Sequence, residues 1–208
     1  MQLIGQYDSP FVRRVGIALA RYGMVFEHLA YSTFGDGHRF HHLNPLKRVP
    51  TLALDNGEVL FGSDAILDHL DERHGRERAL IAQQGPERRA SLRRCALATG
   101  TSEKAVSFFY AGLFSNHLDD IFVERSEAQL RDGLAALNRE CAERAGDWWF
   151  GSEPGHDDIA AACTTRHLCE AYPTLVQISE YPALAAHCLA AEARTEFQVI
   201  QQAFIPPR

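Results

Sequence analysis

Strand signals stop early in this chain. Short apolar runs bounded by turn residues occur only in the first third. From residue 87 to about 200 the sequence is rich in Ala, Leu, Glu and Arg at helical spacing, with breakers at Gly146, Gly151 to Gly155, Pro173 and Pro182. A change of period on that scale excludes one continuous sheet and predicts a small α/β unit followed by a larger all-α unit of four or five helices. The polar stretch "GRERALIAQQGPERR" separates them. The expected division is residues 1–75, a linker at 76–86, and a helical domain at 87–208. With 208 residues, of which 46% are hydrophobic, the chain has enough apolar material for a sizeable core.

Within the first unit, "MQLIGQY" suits a buried strand, with Leu3 and Ile4 apolar. Pro10 opens a helix carrying Val12, Val15, Leu19 and Tyr22 at helical spacing, and Gly23 suits its C-terminal cap. "VFEHLAY" follows as a second strand, completing a βαβ unit. After a long loop, Thr51 to Leu54 and Val59 to Phe61 read as strands joined by Asn56-Gly57, a strong hairpin signal. Ser63 and Asp64 lead into a helix with Ala65, Ile66 and Leu70 on one face.

Several classes of function are disfavoured. A net charge of -6 argues against a dedicated nucleic-acid binder. No apolar run approaches the ~20 residues needed to span a bilayer, and the start "MQLIGQYDS" lacks a secretory pattern, so a cytoplasmic location without membrane attachment is expected. Cys95, Cys141, Cys163, Cys169 and Cys188 show no C-x-x-C spacing and read as reduced, mostly buried residues. His38, His41 and His42 in "HRFHH" lack a closing partner and read as a solvated loop, so no metal site is expected.

Three places carry candidate chemistry. Ser9 sits before Pro10 at a helix mouth, where it serves either as a cap or as part of an anion site built from free N–H groups and its hydroxyl. In "KRVPTL", Pro50 must begin its strand because it cannot donate to a ladder. A trans bond there is a plain strand start. A cis bond would turn the N–H and C=O of Val49 outward for an extended peptide. Ser63, with Asp64 in the first turn, stands at a second helix start, and Lys47 and Arg48 lie close by in sequence.

Taken together, "YDSPFVRRV", "LNPLKRVPTL", the Asn-Gly hairpin, "GSDAILDHLDE" and "DWWFGSEPGHDDIAAA" resemble the cytosolic glutathione transferase family along essentially the whole chain, and most of all its bacterial serine-type members. The resemblance implies a thioredoxin-like domain ordered β-α-β-α-β-β-α, then an all-helical domain, in a homodimer. It implies a cis Pro50, no tightly bound cofactor, and glutathione as co-substrate for attack on a small hydrophobic electrophile or a peroxide. Ser9 would meet the thiol, with Tyr7 as the rival hydroxyl. Val49 would meet the cysteinyl backbone, Lys47 or Arg48 a carboxylate, and Ser63 the γ-glutamyl end, with Phe11, Pro50 and Asp64 completing the glutathione site.

A thiolate is the nucleophile, and positive potential at a helix start together with a hydroxyl hydrogen bond favours that form. Two positions depart from the family pattern. Gly62 stands where an acidic residue usually precedes the serine, and Gly155 where Ser or Thr usually caps the buried helix, leaving Asp158 to reach back to the cap N–H. Gly62 favours the alternative implied by the family's RNA polymerase-binding relatives, a non-enzymatic interaction protein on the same fold. The aromatics of "SFFYAGLF" and the pair Trp148 and Trp149 read as packing residues.

Overall fold

The computed structural model describes residues 1–206. Its first part is a four-stranded sheet of β1 (Gln2–Ile4), β2 (Glu27–Leu29), β3 (Thr51–Ala53) and β4 (Val59–Phe61), with helices α1 (Pro10–Arg21), α2 (Gly37–Phe40) and α3 (Ser63–His74). The sheet order is β2-β1-β3-β4. β1 runs parallel to β2, with Leu3 opposite His28, and antiparallel to β3, with Leu3 opposite Leu52; β3 and β4 form the antiparallel hairpin. Helices follow: α4 (Gly85–Phe114), α5 (Asp120–Ala142), α6 (His156–Ala171), α7 (Pro182–Glu192) and α8 (Thr195–Val199). This is a thioredoxin-like α/β domain with a mixed sheet, then an all-helical domain.

The local signals act as their chemistry dictates. Pro10 occupies the first turn of α1, and Gly23 follows its end with φ +63. Asn56 accepts the Glu58 N–H at 3.0 Å inside the hairpin, where Gly57 takes φ +88. The second strand is shorter than "VFEHLAY" suggests. β1 offers only three pairing residues, the Gly5 N–H closes onto the Leu29 carbonyl, and Val25 is 93% exposed. The stretch read as a loop before Pro50 contains the single turn of α2. A 3-10 turn at Arg76–Arg78 lies in the polar joint, and α4 already begins at Gly85.

One core links the two parts. Val12, Val15 and Leu19 of α1 pack with Leu3, Leu52, Ile66 and Leu70 beneath them and with Ile159, Ala162 and Phe197 from the helical side. Burying such residues is worth roughly 1.5–3 kcal/mol each. A second cluster, with Leu130, Leu134, Leu137, Leu168 and Leu184, holds the helices together. α6 is buried almost along its length and packs on α1, α4 and α7. Its cap is Gly155, whose N–H donates to Asp158 Oδ2 at 2.9 Å. A Cβ at Gly155 would stand 2.7 Å from Phe150 Cβ and 2.9 Å from the Leu80 carbonyl oxygen, so a Ser or Thr cap does not fit there.

Candidate functional site

Ser9 is the N-cap of α1, in extended conformation, and its Oγ accepts the Val12 N–H at 3.5 Å. That bond is long, so most of the hydroxyl's capacity is uncommitted. Tyr7 is a different kind of residue. Its ring is 7% exposed and stacks on His28 with centroids 3.7 Å apart, and burial pushes its phenol up to about 12. A hydroxyl so reluctant to ionise, packed into the sheet, is poorly placed to serve as the thiol's partner.

The Val49–Pro50 peptide is cis. Among the described residues no backbone hydrogen bond uses the N–H or C=O of Val49. Asn44, buried, holds the preceding loop. Its Nδ2 donates to the Arg48 carbonyl at 2.8 Å and to Thr51 Oγ1 at 3.2 Å, and its Oδ1 accepts the Leu46 N–H at 2.9 Å. Gly5 lets this loop settle on the sheet, since a Cβ there would lie 2.8 Å from Val49 Cβ, and its φ of +128 excludes ordinary side chains. Sequence reasoning misses both Asn44 and Gly5, although a glycine ending a strand is the signal of a close backbone approach.

At the start of α3 the N-cap is Gly62, with φ +84 and open space around its missing Cβ. Ser63 is buried, and Asp64 reaches back to Arg14, a residue of α1. The Arg14 guanidinium, 2% exposed, donates to Ser63 Oγ at 3.2 Å and to Asp64 Oδ1 at 2.7 Å. Sequence reasoning misses Arg14 too. The available signal is a charged pair, Arg13-Arg14, lying among the apolar positions of α1. Arg13 is taken by structure, with a bidentate contact to Glu192 at 2.6 and 2.7 Å and bonds to the carbonyls of Phe197 and Ile200.

These segments border two cavities. One, of about 710 Å³, is lined by Arg14, Pro50, Gly62, Ser63 and Asp64; the other, of about 690 Å³, is lined by Ser9 and Asp8. Phe11, Arg48, Val49 and Glu103 line both and so mark where they meet. Arg48 Nη2 is 3.8 Å from Glu103, bridging the two domains across that junction. Lys47, exposed with φ +52, lines neither cavity. Cys95 lines the first, where burial pushes its thiol up to about 12 and keeps it un-nucleophilic.

The cavity beside Ser9 is lined by aromatics from four regions: Phe11, the pair Tyr31 and Phe34, Tyr110, and Phe204. Tyr110 of "SFFYAGLF" is one of them, so that segment is not all packing. Phe108 does pack, parallel to Tyr172 at 5.7 Å, whereas Phe114 is 62% exposed against Phe34. Phe204 and Ile205 close the other side. The Ile205 N–H donates to Asp8 Oδ2 at 3.2 Å, and the Phe204 N–H to Glu170 Oε2 at 2.8 Å.

Residues 3–78 match the family model for the glutathione S-transferase N-terminal domain, and residues 120–190 that for its C-terminal domain. Maleylacetoacetate isomerase of Pseudomonas aeruginosa is 33% identical over 76% of this chain and 77% of its own. The chain belongs to the glutathione S-transferase family. Solved members of the family share its architecture. A glutathione S-transferase of Methylobacterium radiotolerans, in complex with glutathione sulfonate, superposes with a TM-score of 0.90 at 28% identity, over 100% of this chain and 98% of that one. A second, from Methylobacillus flagellatus with glutathione bound, gives 0.87 at 27% identity over 96% and 98%. Among the described residues no helix is long and apolar enough to cross a membrane.

Proposed function

We propose that this protein is a glutathione-dependent transferase of serine type, binding glutathione along residues 1–75 and the electrophile against residues 87–208. The observation that carries the reading is the junction of the two cavities at Val49, whose N–H and C=O have no backbone hydrogen-bond partner among the described residues, with the Ser9 hydroxyl on one side and Ser63 on the other. Glutathione fits that layout: its γ-glutamyl end toward Gly62 and Ser63, its cysteinyl backbone along Val49, its other carboxylate toward Arg48. Bound there, it supplies a thiol for attack on a hydrophobic electrophile or a peroxide. Ser9 donates a hydrogen bond to the developing thiolate, and the first turn of α1 adds positive potential. A cytoplasmic homodimer goes with this reading. The relative in Pseudomonas makes maleylacetoacetate isomerisation the second reaction to assay.

Gly62 favours a different reading, a non-enzymatic interaction protein, because it offers no carboxylate to the γ-glutamyl ammonium. Calorimetric titration with reduced glutathione separates the two. The transferase reading expects sub-millimolar binding and turnover of a model aryl halide. No heat at several millimolar ligand refutes it.

A further inference from the structure

The cavity beside Ser9 adjoins a polar atom that neither the fold nor the proposed chemistry uses. His167, on α6, is 7% exposed and lines that cavity. Its Nδ1 lies 3.1 Å from the carbonyl oxygen of Asp8, the residue before Ser9. A carbonyl only accepts, so Nδ1 carries the proton and donates. Nε2 therefore holds a lone pair, and this buried nitrogen has no hydrogen-bond partner among the described residues. Burial holds the imidazole below the ordinary histidine pKa, which keeps the ring neutral and Nε2 an acceptor. An unpaired buried acceptor discriminates strongly in favour of a molecule that brings a donor.

The surroundings state what kind of molecule that is. Phe11, Tyr31, Phe34, Tyr110 and Phe204 supply an aromatic lining. The charged groups lining the cavity are engaged within the protein, Arg48 against Glu103 and Asp8 Oδ2 accepting the Ile205 N–H. The site thus suits an uncharged aromatic ring. The Phe204 ring stands edge-on to His167 with centroids 5.5 Å apart, on a segment anchored through its backbone to Glu170 and Asp8. Nε2 is buried beside that ring, so a ligand reaches it only when a neighbouring side chain such as Phe204 turns aside.

We propose that His167 is a specificity-determining residue whose Nε2 accepts a hydrogen bond from the hydroxyl of an aromatic electrophile, so that the site selects phenolic second substrates over the same ring without the hydroxyl. The proposal rests on glutathione being the co-substrate, and its test separates the two.

The probes are S-benzylglutathione and its 3- and 4-hydroxybenzyl analogues, titrated calorimetrically into wild type, His167→Leu and His167→Gln. Wild type binds the better hydroxybenzyl conjugate about three- to tenfold more tightly than the benzyl one, the worth of one neutral hydrogen bond. The ratio falls to about one in His167→Leu and survives in part in His167→Gln, which keeps an acceptor. A general disturbance of the site cancels in this ratio. A wild-type ratio of one or less for both analogues, or an unchanged ratio in His167→Leu, overturns the proposal.

A second arm needs neither glutathione nor a variant that folds well. In side-chain nitrogen NMR of wild type, phenol shifts the His167 Nε2 resonance toward the protonated range and toluene does not. If no conjugate binds, the glutathione reading fails by itself. The phenol response then decides His167: a shift upholds the acceptor role, and no shift overturns it.

Discussion

Ser9→Ala separates the capping of α1 from the role proposed for the same hydroxyl toward the thiolate. As a cap, Ser9 Oγ stands 3.5 Å from the Val12 N–H, a distance at which little bonding energy remains. Loss of a serine cap costs 0.5–2 kcal/mol in general, so this one belongs at the bottom, about 0.5 kcal/mol. For a protein of this size that lowers the melting midpoint by about 1–2 °C. In the proposed role of donor to the thiolate, the same hydroxyl would contribute a hydrogen bond to a charge, worth about 1.5–3 kcal/mol. Its loss slows conjugation of a model aryl halide roughly tenfold to a hundredfold and raises the pKa of bound glutathione. The assay pairs the pH dependence of kcat/KM with thermal melting. Tyr7→Phe is the control, since Tyr7 is packed on His28 and its phenol is pushed up to about 12; it leaves the rate within about threefold. A large stability loss with an unchanged rate in Ser9→Ala refutes the reasoning and makes Ser9 a cap alone. A larger rate effect from Tyr7→Phe transfers the role to Tyr7.

Gly62, with φ +84 and no atom within 4 Å of where a Cβ would stand, isolates backbone strain from crowding. Gly62→Ala and Gly62→Glu therefore both lose about 1–2 kcal/mol of stability in thermal or urea melts. That strain is common to the free and bound folded states, so Gly62→Glu still tightens glutathione binding up to about tenfold, with a gain that shrinks in high salt. Equal melting of Gly62→Ala and wild type refutes the strain argument. Gly155→Ser adds a better cap yet destabilises by about 1–3 kcal/mol, because its Cβ runs into Phe150 and the Leu80 carbonyl; urea unfolding reads the sign. His187 is buried with Nε2 donating to the Asp158 carbonyl and Nδ1 facing Arg144, and burial pushes its pKa down to about 4. A folded-state pKa below the unfolded value of about 6.5 means stability is complete above that pH and is lost as pH falls toward 4. Wild type should therefore lose stability across that window relative to His187→Gln. The paired comparison cancels Asp158, which is raised to about 6 and acts in the opposite sense. Parallel curves for the two proteins refute the assignment.

Features whose causes lie within a few residues are legible in the chain before it folds. The α1 start at Ser9-Pro10, the turn at Asn56-Gly57, the α3 start at Ser63 and the long helical stretch all follow from turn chemistry and period, which act over one to four positions. The reach of Asp158 back to the Gly155 N–H was legible for the same reason. The rest depends on packing, which brings together groups that spacing cannot relate. Ser9 and its rival Tyr7 both bring hydroxyls to this strand end, and only the folded chain shows that Tyr7 is stacked on His28 while Ser9 caps α1. Arg48 rather than Lys47 lines the junction, on a loop that Asn44 holds through the Arg48 carbonyl and Thr51. Gly62 looked like a missing carboxylate, whereas its backbone shows a position built for glycine. The cavity beside Ser9 is closed by residues far along the chain, as in the bond between Asp8 and Ile205, 197 positions apart. His167 gained its free lone pair in the same way: it lies 159 positions from the carbonyl that fixes its tautomer, a separation at which no local pattern exists to be read.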